Sequence, residues 1–357
     1  MQISKVVNFP ITIVGLLLIS IGILVIYSSS KELAFQQSIF AVFGIIIFFL
    51  VSRIELHSIK KLITPLYFFI LTMLLAVLIL GFETRGALRW IPLGLFNVQP
   101  SEFAKPVLIL YLAKFWSERL PSWRNILKSL FWSTPLILLI FKQPDLGSAL
   151  TIVAIWVGIL FASSVSIKKL VVLFLTAVCV VPLGWLFLHD YQKQRILSFL
   201  APENDPLGRG YNLIQAVVAV GSGEFLGRGL GRGTQSRLQF LPEFRTDFIF
   251  ASIAEELGFV GSILVLSIYL FLFVYCLRIA QKANNSLGFL VVIGVVSMLL
   301  FQTVVNIGMN IGILPITGIT LPLISYGGSS LIATLICLGM VASVSGFRGK
   351  IDPDELT

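Results

Sequence analysis

The chain has 357 residues, 57% of them hydrophobic and 12% charged, with a net charge of +9 and a mean hydropathy of +0.97. A soluble domain carries about 25% charged residues, so a single water-solvated core is excluded and lipid is the matching solvent. In lipid every backbone polar group must be paired within the chain, which leaves helices or a closed barrel. Barrel strands would alternate in polarity over about ten residues, whereas the apolar runs at 11–26, 35–51 and 287–305 are continuous.

A crossing helix needs about 20 apolar residues. The chain therefore reads as an all-α integral membrane protein, one polytopic domain over 1–357. Ten crossings are predicted at 9–27, 33–51, 62–82, 102–118, 126–141, 147–163, 169–188, 247–277, 286–306 and 328–346. Residues 1–10 hold one cation and no small-residue cleavage site follows, so the first helix reads as a permanent anchor. Every second connection is basic: Arg53, His57, Lys60 and Lys61, then Arg119, Arg124 and Lys128, then Lys168 and Lys169, then Arg278 and Lys282, then Arg348 and Lys350. Lys5 lies on the same side. Such loops face the cytoplasm, so both termini are expected there. The positive charge then needs no nucleic-acid partner. Cys179, Cys276 and Cys337 sit in apolar runs and read as small buried hydrophobes rather than a disulfide framework.

Four outer segments stand apart. The stretch 83–101 holds Trp90, Ile91, Leu93, Leu95 and Phe96 and reads as a segment lying in the interface. Helices five and six look short, at about 16 residues or about 24 Å each. They meet at Lys142-Gln143-Pro144-Asp145, a turn expected below the outer surface, in a polar cavity. The stretch 189–245 is a large extracellular loop between helices seven and eight. Its glycine series resembles a nucleotide loop only superficially, because no strand precedes it and no GxxxxGK[ST] occurs. Residues 209–224 could form an amphipathic stretch on the leaflet. Arg195, Arg209, Arg228, Arg232, Arg237 and Arg245 offer cations to an anion, or simply to lipid headgroups. Last, 306–330 is too broken by Pro315, Gly318, Pro322, Gly327 and Gly328 to span, and too apolar to be free, so a re-entrant segment is expected.

Charges near hydrocarbon are costly and become functional candidates. Glu102 and Lys105 make either a helical ion pair or part of a site, with Ser101 as a cap. Asp145 is either a turn cap or a cavity carboxylate. Asp247 follows Thr246, which could be an N-cap, placing Asp247 in a first turn where the helix dipole keeps it ionised. Glu255 and Glu256 lie two turns deeper, Glu255 nearer the Asp247 face. His57 and His189 fall on opposite sides and cannot share a site, and no Ser-His-Asp or Cys-His set can be assembled outside.

Several motifs carry a resemblance: Arg85-Gly86-Ala87-Leu88-Arg89-Trp90-Ile91, Gln99-Pro100-Ser101-Glu102-Phe103-Ala104-Lys105, Gln143-Pro144-Asp145-Leu146-Gly147-Ser148, the glycine loop, Leu241-Pro242-Glu243 through Thr246-Asp247-Phe248-Ile249-Phe250, and Ile324-Ser325-Tyr326-Gly327-Gly328-Ser329. In that order they are similar to the SEDS family, polytopic peptidoglycan glycosyltransferases that include FtsW, RodA and SpoVE. The runs Gly233-Thr234-Gln235 and Gly308-Met309-Asn310-Ile311-Gly312 resemble the RodA branch more than the FtsW branch. The resemblance implies ten helices, an outward cavity, polymerisation of lipid II, and a class B penicillin-binding protein (a transpeptidase) as partner. It carries the catalytic aspartate onto Asp247 and substrate roles onto Glu102, Lys105 and Asp145. Phe244-Arg245 departs from the family, which usually has a small residue and His there, and Arg245 could alter the charge beside Asp247.

An enzyme reading follows. Asp247 is the general base, with Lys105 and Arg89 or Arg195 answering the charge on a pyrophosphate leaving group. Trp90 joins them as a substrate-binding candidate. Two rivals are a lipid II flippase and a non-catalytic scaffold for the penicillin-binding protein. A divalent cation such as Mg or Mn stays open as a cofactor.

Overall fold

The computed structural model describes residues 8–80, 82–84, 87–92, 97–187, 190–206, 208, 210–237 and 240–347. Lys5, Arg85, Gly86, Leu93, Leu95, Phe96, His189, Arg209, Arg348 and Lys350 lie outside the described residues.

Helices run in the order α1 (Phe9–Ser29), α2 (Lys31–Ser52) and α3 (Lys60–Leu80). Three short strands follow, β1 (Phe82–Thr84), β2 (Ala87–Pro92) and β3 (Asn97–Val98). Next come α4 (Pro100–Ser117), α5 (Trp123–Lys142), α6 (Leu146–Ala162) and α7 (Ile167–Gly184). The long connection holds α8 (Asp190–Leu200), α9 (Tyr211–Ser222) and α10 (Thr234–Arg237). The chain closes with α11 (Ile249–Gln281), α12 (Ser286–Asn310) and α13 (Gly328–Gly346). Of these, α1, α2, α3, α5, α11, α12 and α13 are long and apolar enough to cross a membrane. The other three expected crossings coincide with α4, α6 and α7.

Local chemistry sets the boundaries. Asn8 accepts from the Ile11 N–H and precedes Pro10, so α1 starts there. Ser30 ends α1 with its own N–H on the Ile26 carbonyl and starts α2 with its side chain on the Leu33 N–H. Ser122, Asp145 and Asn285 cap α5, α6 and α12 in the same way. The helix α12 is central and packs against α4, α6, α11 and α13, while α13 also packs on α2. Buried Val291, Val292, Val295 and Leu299 fill this contact. By contrast α7 is exposed along most of its length.

The structure amends four expectations. Where 83–101 was expected to lie in the interface, the strands β1, β2 and β3 pair into a three-stranded antiparallel sheet, with Trp90 across from Phe82 and Ile91 across from Val98. Phe82, Thr84, Trp90, Ile91 and Val98 are residue types that suit a pleated surface. Second, α5 has 20 residues rather than about 16, and the turn at Gln143–Asp145 follows it. Third, residues 306–310 stay helical, so the irregular stretch is 311–327. Its Ile319, Leu321, Leu323 and Ile324 are buried, as a re-entrant segment requires. Fourth, α11 is broken at Gly258, which has φ 68° and ψ −165°. The glycine loop closes on that break. The N–H groups of Arg228 and Gly229 donate to the Glu255 and Glu256 carbonyls, and those of Phe259 and Val260 donate to Glu224 and Phe225. A Cβ on Gly258 would run into the Gly227 backbone, so only glycine fits.

Candidate active site around Asp247

Glu243 turns the chain into α11 from a left-handed conformation, φ 54°. Its carbonyl accepts from the N–H groups of Thr246 (3.1 Å) and Phe248 (3.2 Å) and from Thr246 Oγ1 (3.2 Å). Thr246 Oγ1 also reaches Glu243 Oε2 at 3.1 Å. The Thr246 hydroxyl therefore points back into the turn, and Thr246 is not the helix cap. Phe248 holds that position, with no side-chain bond. Asp247 sits just before α11, not in its first turn.

Three successive carbonyls of this turn are held from the far side. The Tyr326 N–H donates to Arg245 O at 2.9 Å. Ser325 Oγ donates to Thr246 O at 2.6 Å. Asn306 Nδ2 and Asn310 Nδ2 donate to Asp247 O at 2.8 and 3.1 Å. The backbone is thus pinned, leaving the carboxylate to project.

Burial pushes the Asp247 carboxyl up to about 6. That value already includes Glu243 and Asp145, which raise it alongside burial, and Arg195 and Arg89, which pull against them. Removal from water outweighs the cations, and the expected dipole effect at a first turn does not arise. Gly318 of the re-entrant segment lines the same place. A Cβ there would stand 3.5 Å from Asp247 Oδ2 and 3.8 Å from Arg195 Nη1. Arg195 Nη1 itself leans on the Ile316 carbonyl at 3.5 Å.

Asp145 caps α6 through Oδ1 on the Ser148 N–H, at 3.1 Å. Its Oδ2 accepts from Gln99 Nε2 at 3.1 Å and Ser101 Oγ at 3.4 Å. Ser101 therefore serves Asp145 instead of capping α4, whose cap residue Gln99 makes no side-chain cap bond. Arg89 donates to the Gln143 carbonyl at 2.9 Å and to that of Pro144. Glu102 and Lys105 are locked onto each other at 2.7 Å, their side chains 9% and 3% exposed. Trp90 is partly buried in β2. The predicted residues thus divide. Asp247, Arg195, Arg89 and Asp145 form one electrostatic neighbourhood, while Glu102 and Lys105 make a closed pair on α4.

Other predicted groups are engaged elsewhere. Glu255 accepts from Thr234 Oγ1 (3.2 Å) and the Gln235 N–H (2.8 Å), turning to α10 rather than toward Asp247. Glu256 accepts from Ser28 Oγ at 2.7 Å. Arg245 donates to Ser29 Oγ at 2.9 Å and lies over the Phe244 ring, so it binds the end of α1. Burial lowers its pKa. Among the described residues no group of three or more His, Cys, Asp or Glu is placed to hold a metal ion.

Sequence reasoning missed Glu243, Asn306 and Asn310. A signal existed for the last two, since two amides four residues apart in an apolar helix share one face.

Comparison with known proteins gives a consistent result. A family model described as cell cycle protein, FtsW/RodA/SpoVE, matches residues 6–350. Peptidoglycan glycosyltransferase MrdB of Escherichia coli K12 is 40% identical over 308 residues, covering 85% of this chain and 83% of that protein. Stage V sporulation protein E of Bacillus subtilis 168 is 36% identical over 355 residues, covering 94% and 96%. Among solved structures, a chain of a peptidoglycan synthase complex that coordinates polymerization and crosslinking superposes with a TM-score of 0.84 at 32% identity, covering 96% and 99%. The rod shape determining protein RodA of Thermus thermophilus superposes at 0.73 and 28% identity, covering 96% and 98%.

Proposed function

The chain belongs to the FtsW/RodA/SpoVE (SEDS) family of cell cycle proteins and is a multi-pass membrane peptidoglycan glycosyltransferase, and we propose that Asp247 is its general base. The substrate is lipid II, an undecaprenyl-pyrophosphate-linked disaccharide pentapeptide. Asp247 takes the proton from the 4-hydroxyl of the acceptor GlcNAc as that oxygen attacks C1 of the donor MurNAc with inversion. Undecaprenyl pyrophosphate leaves.

One observation carries this reading: a carboxyl raised to about 6 beside two arginines, on a turn whose backbone is pinned. A base with that pKa is largely ionised at neutral pH yet still basic enough to accept a proton. Arg195 and Arg89 are the cations suited to the developing pyrophosphate charge, because a guanidinium matches phosphate oxygens. Lys105 is less suited, since its charge is answered by Glu102. Asp145 and Trp90 complete the substrate contacts.

The reaction takes place at the outer face of the bacterial cytoplasmic membrane, with both termini inside. Likeness to RodA and to a synthase-complex chain supports a role in elongation beside a class B penicillin-binding protein. Purified Asp247→Asn protein given lipid II should lose about 10²–10⁴ in polymerisation rate. Undiminished polymer would remove Asp247 from the chemistry.

A further inference from the structure

We infer that Asn306 and Asn310 of α12 are positioning residues for the reaction, acting through the backbone of Asp247. The inference rests on reading Asp247 as the base.

Both side chains are fully buried, 0% exposed. Asn306 Nδ2 donates to Asp247 O at 2.8 Å and to Ile319 O at 2.7 Å. One amide therefore ties the Asp247 turn to the re-entrant segment, one residue from Gly318. A Cβ on that glycine would meet both Asp247 Oδ2 and Arg195 Nη1. The width of the gap between the acid and its neighbouring cation is set through this amide.

Asn310 does something different. In an α-helix the Ala251 N–H would donate to the Asp247 carbonyl, four residues back. Here Asn310 Oδ1 takes the Ala251 N–H at 3.0 Å, while Asn310 Nδ2 donates to Asp247 O at 3.1 Å. The amide is wedged into what would be the first bond of a longer α11. It satisfies both groups and keeps Asp247 out of the helix. This explains why Thr246 does not cap α11. It also keeps the carboxylate clear of the helix N-terminus, where an anion would be stabilised and its pKa lowered.

The test uses purified full-length Asn306→Leu, Asn310→Leu and Asp247→Asn, with Gln302→Leu as a control. Gln302 is a buried amide one turn earlier on the same helix, 3% exposed. Polymerisation of lipid II is followed for kcat, KM and the pH profile. A misplacement of about 1 Å costs about 10² in rate, so both asparagine variants should lose about 10–100-fold in kcat. KM should stay within about twofold, as for an interaction expressed in the transition state. In Asn310→Leu the rising limb of the pH profile should also move to lower pH, because α11 can then extend back and enclose Asp247 in its first turn. Mere loosening of the bundle would not move that limb. Gln302→Leu should keep its kcat. If Asn310→Leu does not fold, Asn310→Ser carries the same test. Wild-type kcat in the asparagine variants, or an equal loss in Gln302→Leu, overturns the inference. An active Asp247→Asn would overturn the base reading itself, whereas a dead Asp247→Asn beside normal asparagine variants would overturn only the positioning role.

Discussion

The Glu102–Lys105 pair and the Asp247 turn handle charge in an apolar protein in opposite ways. On α4 the two charges lie one helical turn apart and neutralise each other at 2.7 Å, nearly sealed from solvent. Before α11 the acid has no such dedicated partner among the described residues. Its backbone is held by Asn306 and Asn310 while its carboxyl is shared among Arg195, Arg89, Glu243 and Asp145. The first arrangement minimises the cost of burial; the second leaves a group whose proton can come and go. A buried charge is thus not by itself evidence of chemistry. What distinguishes the two is whether the partner is fixed.

Breaking the closed pair should give the largest structural effect. Glu102→Gln or Lys105→Met alone leaves one buried charge unanswered, and such losses cost about 3–5 kcal/mol. The double variant Glu102→Gln with Lys105→Met should recover much of that in thermal unfolding in detergent. If each single variant melts like the parent, the pair is not closed in solution and Lys105 is free to meet substrate. The smallest effect should come from Arg245→His. That change removes two guanidinium bonds to Ser29, each worth about 1 kcal/mol, and should leave the polymerisation rate near the parent value. A large rate loss would place Arg245 among the cations acting on Asp247 and blur the contrast.

Much of this fold was legible because lipid forces long apolar runs into helices. The ten crossings and the re-entrant stretch came from run length and from Pro and Gly placement. Asp247, Asp145, Glu102 and Lys105 were legible as charges costly to hold near hydrocarbon, and Arg89 and Arg195 as cations suited to a pyrophosphate. The details that escaped depend on contacts distant in sequence. Ser101 and Thr246 are both good cap residues, but Asp145 and Glu243 claim their hydroxyls. The 83–101 sheet competes poorly as a signal inside a helical chain. Asn310 read only as part of a family-like run and Asn306 went unremarked; their spacing shows a shared helix face, but nothing local reveals that it meets another helix's first turn.

The pH–rate profile of the purified protein on lipid II tests the central claim most directly. A general base must be ionised to act, and burial places the Asp247 carboxyl at about 6. The rate should therefore climb through about pH 6 and level off above it. In Glu243→Gln a neighbour that raises this value is gone, so the climb should shift to lower pH. A rate that stays flat from about pH 5 to about pH 8, or a climb unmoved by Glu243→Gln, would contradict Asp247 as the base.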